Sequence, residues 1–340
     1  MEEAKIPGYY TNDKSMLSRV ADSIFWLSRY LERAENYARF LDVNFNLSID
    51  LPPGMSEQWQ PLLAATGDLQ AYNTKYRGYK RKDAIFFLAF DTDNPNAIIS
   101  TVKFARENAR IIRENIATDT WEGINDLYHY INNAAKRKVW KKDDPQEFFR
   151  NVKFKVQLIN GIVYGAAPRV EGWHFSQIGQ QLERADKTSR ILDVKYHFLL
   201  PSPEEVGSPL DFLHWSALLK SVSGYNTFRR KYGKIEPASV VEYLILDKYF
   251  PRSIYYCLSS AEGCLHAVGG TGKGGYSNPA EKAIGSLRSE LEFKDVNELI
   301  EYGLHEFMDD LQVRLNEISK CIYEQYFKIQ PNFVPQSQNQ

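Results

Sequence analysis

Residues 31–43 read LERAENYARFLDV, and residues 182–194 read LERADKTSRILDV; eight of the thirteen positions are identical at a constant offset of 151. Both stretches sit inside an apolar stripe. Ile24, Leu27, Leu31, Ala34, Ala38, Leu41 and Phe45 step by three and four, as do Phe175, Ile178, Leu182, Ala185, Ser189, Leu192 and Tyr196. That spacing lays one apolar face along an α-helix. The two segments therefore predict long helices over 14–48 and 172–199, each carrying the same Glu-Arg pair beside a core-facing stripe.

Moving outward, Ile98, Val102, Ala105, Ala109, Ile112 and Ile116 form a third stripe, and Leu304, Met308, Leu311, Leu315 and Ile318 a fourth. Helix starts are marked by a capping side chain before a proline at Asn94-Pro95, Asp144-Pro145, Ser208-Pro209 and Asn278-Pro279. Asp119 with Glu122 reads as a start of the same kind without proline. The remaining helices are expected over 57–66, 82–90, 95–117, 120–139, 145–166, 209–231, 237–247, 251–268, 279–292 and 296–328. No hairpin dipeptide separates alternating apolar runs, so the fold class is all-α.

A second likeness joins the first. Leu88, Asp91, Pro95 and Ile98 correspond to Leu244, Asp247, Pro251 and Ile254 at an offset of 156. The expectation is a single large helical domain over 14–328, an internally duplicated bundle with two pseudo-symmetric halves, roughly 14–140 and 170–328. The halves would face each other about a pseudo-two-fold axis. Residues 1–13 and 329–340 are expected to be flexible termini, and the glycine run 269–275 a flexible connector.

The chain has 340 residues, 43% hydrophobic and 25% charged, with a formal net charge of −1. It is long enough for a sizeable core, and the balanced charge argues against nucleic acid as a partner. Three cysteines, Cys257, Cys264 and Cys321, give neither a disulfide framework nor a zinc motif. No signal-like start and no membrane-length apolar run is present, which leads to a cytoplasmic expectation. The glycine run lacks the GxxxxGK[ST] order of a phosphate loop. Glu171 with His174, and Asp126 with His129, carry a di-iron-like spacing, but the four-helix ligand set is incomplete. Neither a metal nor a cofactor is expected.

Adjacent helical residues point about 100° apart, so Glu32 and Arg33 must each find a partner elsewhere. Burial beside a stripe demands one. Pseudo-symmetry suggests reciprocal pairs, Glu32 with Arg184 and Glu183 with Arg33, which either brace the helices or line a ligand cleft. Arg106, Arg110 and Arg113 share one helix face, and Arg252-Ser253 stands at a helix start that favours anions. Glu32 and Glu183 are the candidate acid/base residues. Arg29, Glu32, Arg33, Arg39, Arg106, Arg110, Arg113, Glu183, Arg184, Arg190, Arg252 and Ser253 are the candidate binding residues.

Several blocks together resemble a known family. They are Met16 to Asp22 with Trp26 and Arg29 to Asn36; Ala105 to Arg110 with Arg113 and Trp121-Glu122; Ile178 to Asp186 with Arg190; and Phe250 to Ser253 with Tyr256 to Leu258. They look like the bacterial alpha-E family of helical domains with Glu-Arg motifs, across about residues 15–327. Gln180 stands where the first copy has Arg29. The resemblance implies a setting beside ATP-grasp and transglutaminase-like proteins, in a system that makes or modifies amide bonds on peptides. The function it implies is an accessory or substrate-binding partner of an ATP-grasp amide ligase, taking an anionic peptide or small molecule and not catalytic alone. Two other readings stay open: an enzyme acting on a carboxylate or amide through a Glu/Arg cleft, and a ligand-free structural scaffold.

Overall fold

The computed structural model describes residues 16–50, 59–142, 144–198, 207–272 and 274–328. The expected flexible termini and Lys273 of the glycine run lie outside these residues. Among the described residues the chain is all-α, with fifteen α-helices and no strand. In chain order these are α1 (Ser18–Asp50), α2 (Trp59–Ala65), α3 (Leu69–Lys75), α4 (Arg81–Ala89), α5 (Ile98–Ile111), α6 (Thr118–Lys136), α7 (Gln146–Ala166) and α8 (Glu171–Phe198). Then follow α9 (Pro209–Ser221), α10 (Tyr225–Tyr232), α11 (Pro237–Ile245), α12 (Ile254–Gly269), α13 (Pro279–Phe293), α14 (Val296–Tyr302) and α15 (Leu304–Ile322). A π-helical turn, Tyr323–Phe327, closes the described chain.

The core is built around α1 and α8. They pack chiefly on each other; α1 also packs on α5 and α7, and α8 on α12 and α15. Being covered on several sides, α1 buries charged residues as well as its stripe: Glu32, Glu35 and Arg39 are buried alongside Leu31, Ala34, Ala38 and Leu41. The close α1–α8 approach needs Gly179, where an added Cβ would stand 2.4 Å from the Phe25 carbonyl oxygen. Ser28 and Ser176 hydrogen-bond across the same contact at 2.9 Å.

Segments α2–α4 and α9–α11 are built alike. Lys75 pairs with Asp91 at 2.9 Å, and Lys231, 156 positions later, pairs with Asp247 at 2.7 Å. Tyr72, Tyr76 and Phe87 form one aromatic cluster, and Phe228, Tyr232 and Tyr243 form another. Asp91 Oδ1 accepts the Asp93 N–H at 3.0 Å, and Asp247 Oδ1 accepts the Tyr249 N–H at 2.8 Å. The left-handed turns after α2 and α9 fall at Gly67 and Ser223, again 156 apart.

Several helix boundaries differ from the expectation. Asn94-Pro95 is a turn and not a start: Asn94 Oδ1 accepts the Asn96 N–H, its amide donates to the Phe87 carbonyl, and α5 begins at Ile98. Asp119 lies inside α6, whose cap position is Ala117. Asp144 accepts the Gln146 N–H, which places Pro145 at the cap of α7. Ser208 and Asn278 cap as expected, accepting the N–H groups of Asp211 and Glu281. The segment 209–231 breaks into α9 and α10 at Ser223, with φ 55°, and 296–328 breaks into α14 and α15 at Gly303, with φ 103°. A right-handed helix cannot pass through those backbone angles.

Candidate functional site

The two Glu-Arg pairs meet across the α1–α8 contact in the reciprocal arrangement. Arg184 donates to Glu32, Nε to Oε1 at 3.0 Å and Nη2 to Oε2 at 2.8 Å. Arg33 donates to Glu183, Nε to Oε1 at 2.6 Å and Nη2 to Oε2 at 3.0 Å. Both are two-pronged guanidinium–carboxylate pairs, the strongest hydrogen-bonded ion pairs side chains make. Glu32 and Glu183 are each 0% exposed.

Each carboxylate has further donors, and here the two sides diverge. Glu183 also receives Arg29 Nε at 2.9 Å and lies 3.4 Å from Lys187 Nζ. The position matching Arg29 on the other side is Gln180, and Glu32 takes its second guanidinium from Arg252. Arg252 Nη1, at the start of α12, donates to Glu32 Oε1 at 2.9 Å and to Asn36 Oδ1 at 3.1 Å. The anion beside that helix start is thus the Glu32 carboxylate. Ser253 is fully buried and caps α12 by accepting the Tyr256 N–H.

A third buried carboxylate, Glu35, widens the lattice. Its Oε1 accepts from Arg39 Nη2 at 2.5 Å, Gln157 Nε2 at 3.1 Å and Arg252 Nη2 at 3.3 Å. Arg39 also donates to the Ser223 hydroxyl. Asp186 binds Lys187 at 2.8 Å and Arg190 at 3.0 Å. Glu35, Asn36, Gln157, Asp186 and Lys187 join the site although none was among the candidate residues; Glu35, Asn36 and Asp186 do fall within the blocks that resemble the family.

Burial alone would raise the Glu32 carboxyl, but Arg184 and Arg252 hold it well below the ordinary carboxylate range. Burial is likewise outweighed at Glu183, by Arg33, Lys187 and Arg29. At Arg252 burial prevails: it lowers the guanidinium pKa, Arg184 and Arg39 add to that, and Glu32 and Glu35 oppose it.

The side where Gln180 replaces an arginine is the side that opens. A cavity of about 440 Å³ is lined by Arg39, Arg184 and Arg252, with Glu35, Gln157 and Gln180. Three guanidiniums there stand against two carboxylates, Glu32 and Glu35, a local excess of one positive charge beside the cavity.

The other arginine row lies elsewhere. Arg106 donates to Asn125 Oδ1 at 2.6 Å and covers the Tyr128 ring, Arg113 lies over Trp121, and Arg110 is exposed and paired with Glu107 at 2.8 Å. These three contacts lie along α5 and α6, and none of the three arginines lines the cavity. Glu171 accepts the Met16 N–H, and Asp126 pairs with Lys155, so the two spaced acid–histidine motifs are not joined. Among the described residues a carboxylate–imidazole group gathers where α8 meets α15: His305 Nδ1 lies 2.7 Å from Asp193 Oδ1, and Nε2 lies 3.5 Å from Asp309.

Comparison with known proteins places this lattice in context. The family Alpha-E, described as "a predicted alpha-helical domain with a conserved ER motif", matches residues 16–327. An uncharacterised protein of Mycobacterium bovis is 26% identical over 333 residues, covering 90% of this chain and 35% of its own length. Two uncharacterised Mycobacterium tuberculosis proteins are similar over the same span, at 26% and 25% identity. The chain thus spans about a third of the length of the curated relatives it matches. No solved structure matches it.

Proposed function

Since the chain belongs to the Alpha-E family, we propose that it is a substrate-binding component of a bacterial amide-bond-forming system, presenting a carboxylate to an ATP-grasp-type ligase without catalysing the step itself. The observation that carries this reading is the cavity beside Arg39, Arg184 and Arg252, with its local excess of positive charge. A pure scaffold has no use for a guanidinium cluster facing open space.

The same geometry argues against Glu32 or Glu183 as proton-transfer groups. A general acid or base works best with a pKa near the working pH. Both carboxylates are shifted the other way and have their oxygens occupied by guanidiniums. In this reading they hold the arginines in place. Relatives three times as long suit a part that acts beside other units. No helix among the described residues is long and apolar enough to cross a membrane, and the need for ATP goes with a cytoplasmic setting. The matched pairs at offsets 151 and 156 support an origin by internal duplication, with one half diverged at Gln180 to open the cavity.

The test is reconstitution. The tagged chain, purified from its own cell, is expected to bring down an ATP-grasp partner, and ATP-dependent ligation by that partner should drop at least tenfold when the chain is withheld. Ligation at full rate without the chain would overturn the proposal.

A further inference from the structure

The polar cavity abuts a second one, of about 420 Å³, and Ser28, Asn160, Val163 and Ser176 line both. The Ser28–Ser176 hydrogen bond marks the join. The second cavity is mainly apolar, walled by Ile24, Leu27, Leu31, Ile116, Val170 and Trp173 among others, with Glu114, Asn115 and Thr120 also in its lining. Each cavity alone is within the range of small-molecule sites, and their chemistry is opposite: guanidiniums in one, aliphatic and indole groups in the other.

The charge count limits the polar end. Arg39, Arg184 and Arg252 exceed Glu32 and Glu35 by one positive charge, which matches a monoanion better than a doubly charged phosphate. The apolar end gains by exchanging water for hydrocarbon.

We propose that the two cavities form one bipartite site for an amphiphilic carboxylate, with the carboxylate among Arg39, Arg184 and Arg252 and an aliphatic or aromatic group in the apolar chamber. This rests on the anion-binding reading above and gives it a substrate class: an acid with an apolar chain, such as an acylated or apolar-ended peptide. The two cavities share Ser28, Asn160, Val163 and Ser176 as a common boundary, so one molecule that reaches both passes there. Gln180, shorter by a guanidinium than its counterpart Arg29, leaves the head-group position open.

The experiment is calorimetric titration of the full chain with straight-chain carboxylates from butyrate to decanoate, with decanol as the uncharged control. Affinity should rise roughly fourfold per methylene until the chamber is filled, and decanol should bind at least tenfold more weakly than decanoate. Gln180→Glu, which places a carboxylate in the cavity, cancels the surplus charge and removes no member of the lattice, should abolish carboxylate binding. Ala166→Phe, at the exposed rim of the apolar chamber, should remove the chain-length dependence and leave butyrate within twofold. Ala117→Leu on the opposite rim serves the same purpose should Ala166→Phe fail to fold.

Butyrate and decanoate binding alike would overturn the bipartite site and leave the anion site standing. Chain-length dependence that survives both rim variants would place the chain elsewhere and overturn it as well. Decanol equal to decanoate would overturn the assignment of the head group to the arginines. Absence of binding by every carboxylate would remove the anion-binding reading itself.

Discussion

Glu183→Gln removes one negative charge from the centre of the molecule while keeping the side chain's shape. In the native protein that carboxylate faces Arg33 at 2.6 Å, Arg29 at 2.9 Å and Lys187 at 3.4 Å. Glu183 is 0% exposed, so solvent screening does little to soften the loss. Breaking a buried ion pair by deleting one partner costs about 3–5 kcal/mol. Arg33 and Arg29, left facing each other while Lys187 keeps Asp186, put this case toward the upper end. For a chain of this size that corresponds to a fall in Tm of about 5–8 °C. Calorimetry of wild type and variant measures it, with urea unfolding as a second reading. Adding Arg33→Met should recover part of the loss, because it withdraws one of the stranded charges. A loss below about 1 kcal/mol, the worth of an exposed pair, would refute the reasoning, since it would mean that water reaches the lattice.

Acid should expose the same groups. The Glu32 and Glu183 carboxyls are held below their ordinary value of 4.5 in the folded state. Their contribution is therefore complete above the unfolded value and is lost as pH falls through the folded one. The urea midpoint should be flat from about pH 7 to 5.5 and decline below about 4.5, with a shallower decline in Glu183→Gln; a midpoint that improves with acid would contradict this. Gly179→Ala should destabilise by about 1–3 kcal/mol or more, because its Cβ would press on the Phe25 carbonyl on the neighbouring helix; a neutral effect in thermal melts would show that α1 and α8 can separate freely. Burial pushes the Cys257 thiol up to about 12 and Cys264 to about 11, whereas Cys321 is only partly buried. A disulfide reagent at pH 8 should label Cys321 first in the native protein and the other two only on unfolding; rapid native labelling of Cys257 would contradict the packing of α12.

How far sequence alone reaches depends on whether a contact has a local signature. The reciprocal pairing of Glu32 with Arg184 and Glu183 with Arg33 was legible because neighbouring helical residues cannot pair with each other and the two copies imply exchange. The long helices were legible from their stripes, and caps at Ser208 and Asn278 from their prolines, whereas the short α3 was not expected. The break at Gly303 carried a glycine, but the apolar stepping resumes after it and hid the end of α14. Asn94-Pro95 imitates a helix start because the same asparagine chemistry that caps helices also closes turns. Arg106, Arg110 and Arg113 do not share one helix face, because α5 ends at Ile111 and Arg113 stands on the 3-10 turn beyond it; that Arg106 and Arg113 meet Trp121 while Arg110 stays exposed depends on how α5 packs on α6. The cavity was illegible for the same reason. Its wall comes from α7, whose register against α1 is fixed by tertiary contacts such as Lys153 with Asp42 and Gln146 with Asn46, and nothing in Gln157 or Asn160 announces a ligand. The departure at Gln180 was visible in the sequence, but not the cavity that it lines.

The central claim is that the surplus guanidinium charge on the Gln180 side holds a carboxylate. The most direct measurement is a crystal structure with 4-bromobenzoate, whose bromine is located independently by anomalous scattering. The account predicts the carboxylate among Arg39, Arg184 and Arg252, with the bromine directed past Ser28 and Ser176 toward the apolar chamber. An empty cavity at saturating ligand, or bromine found only at the molecular surface, would contradict it.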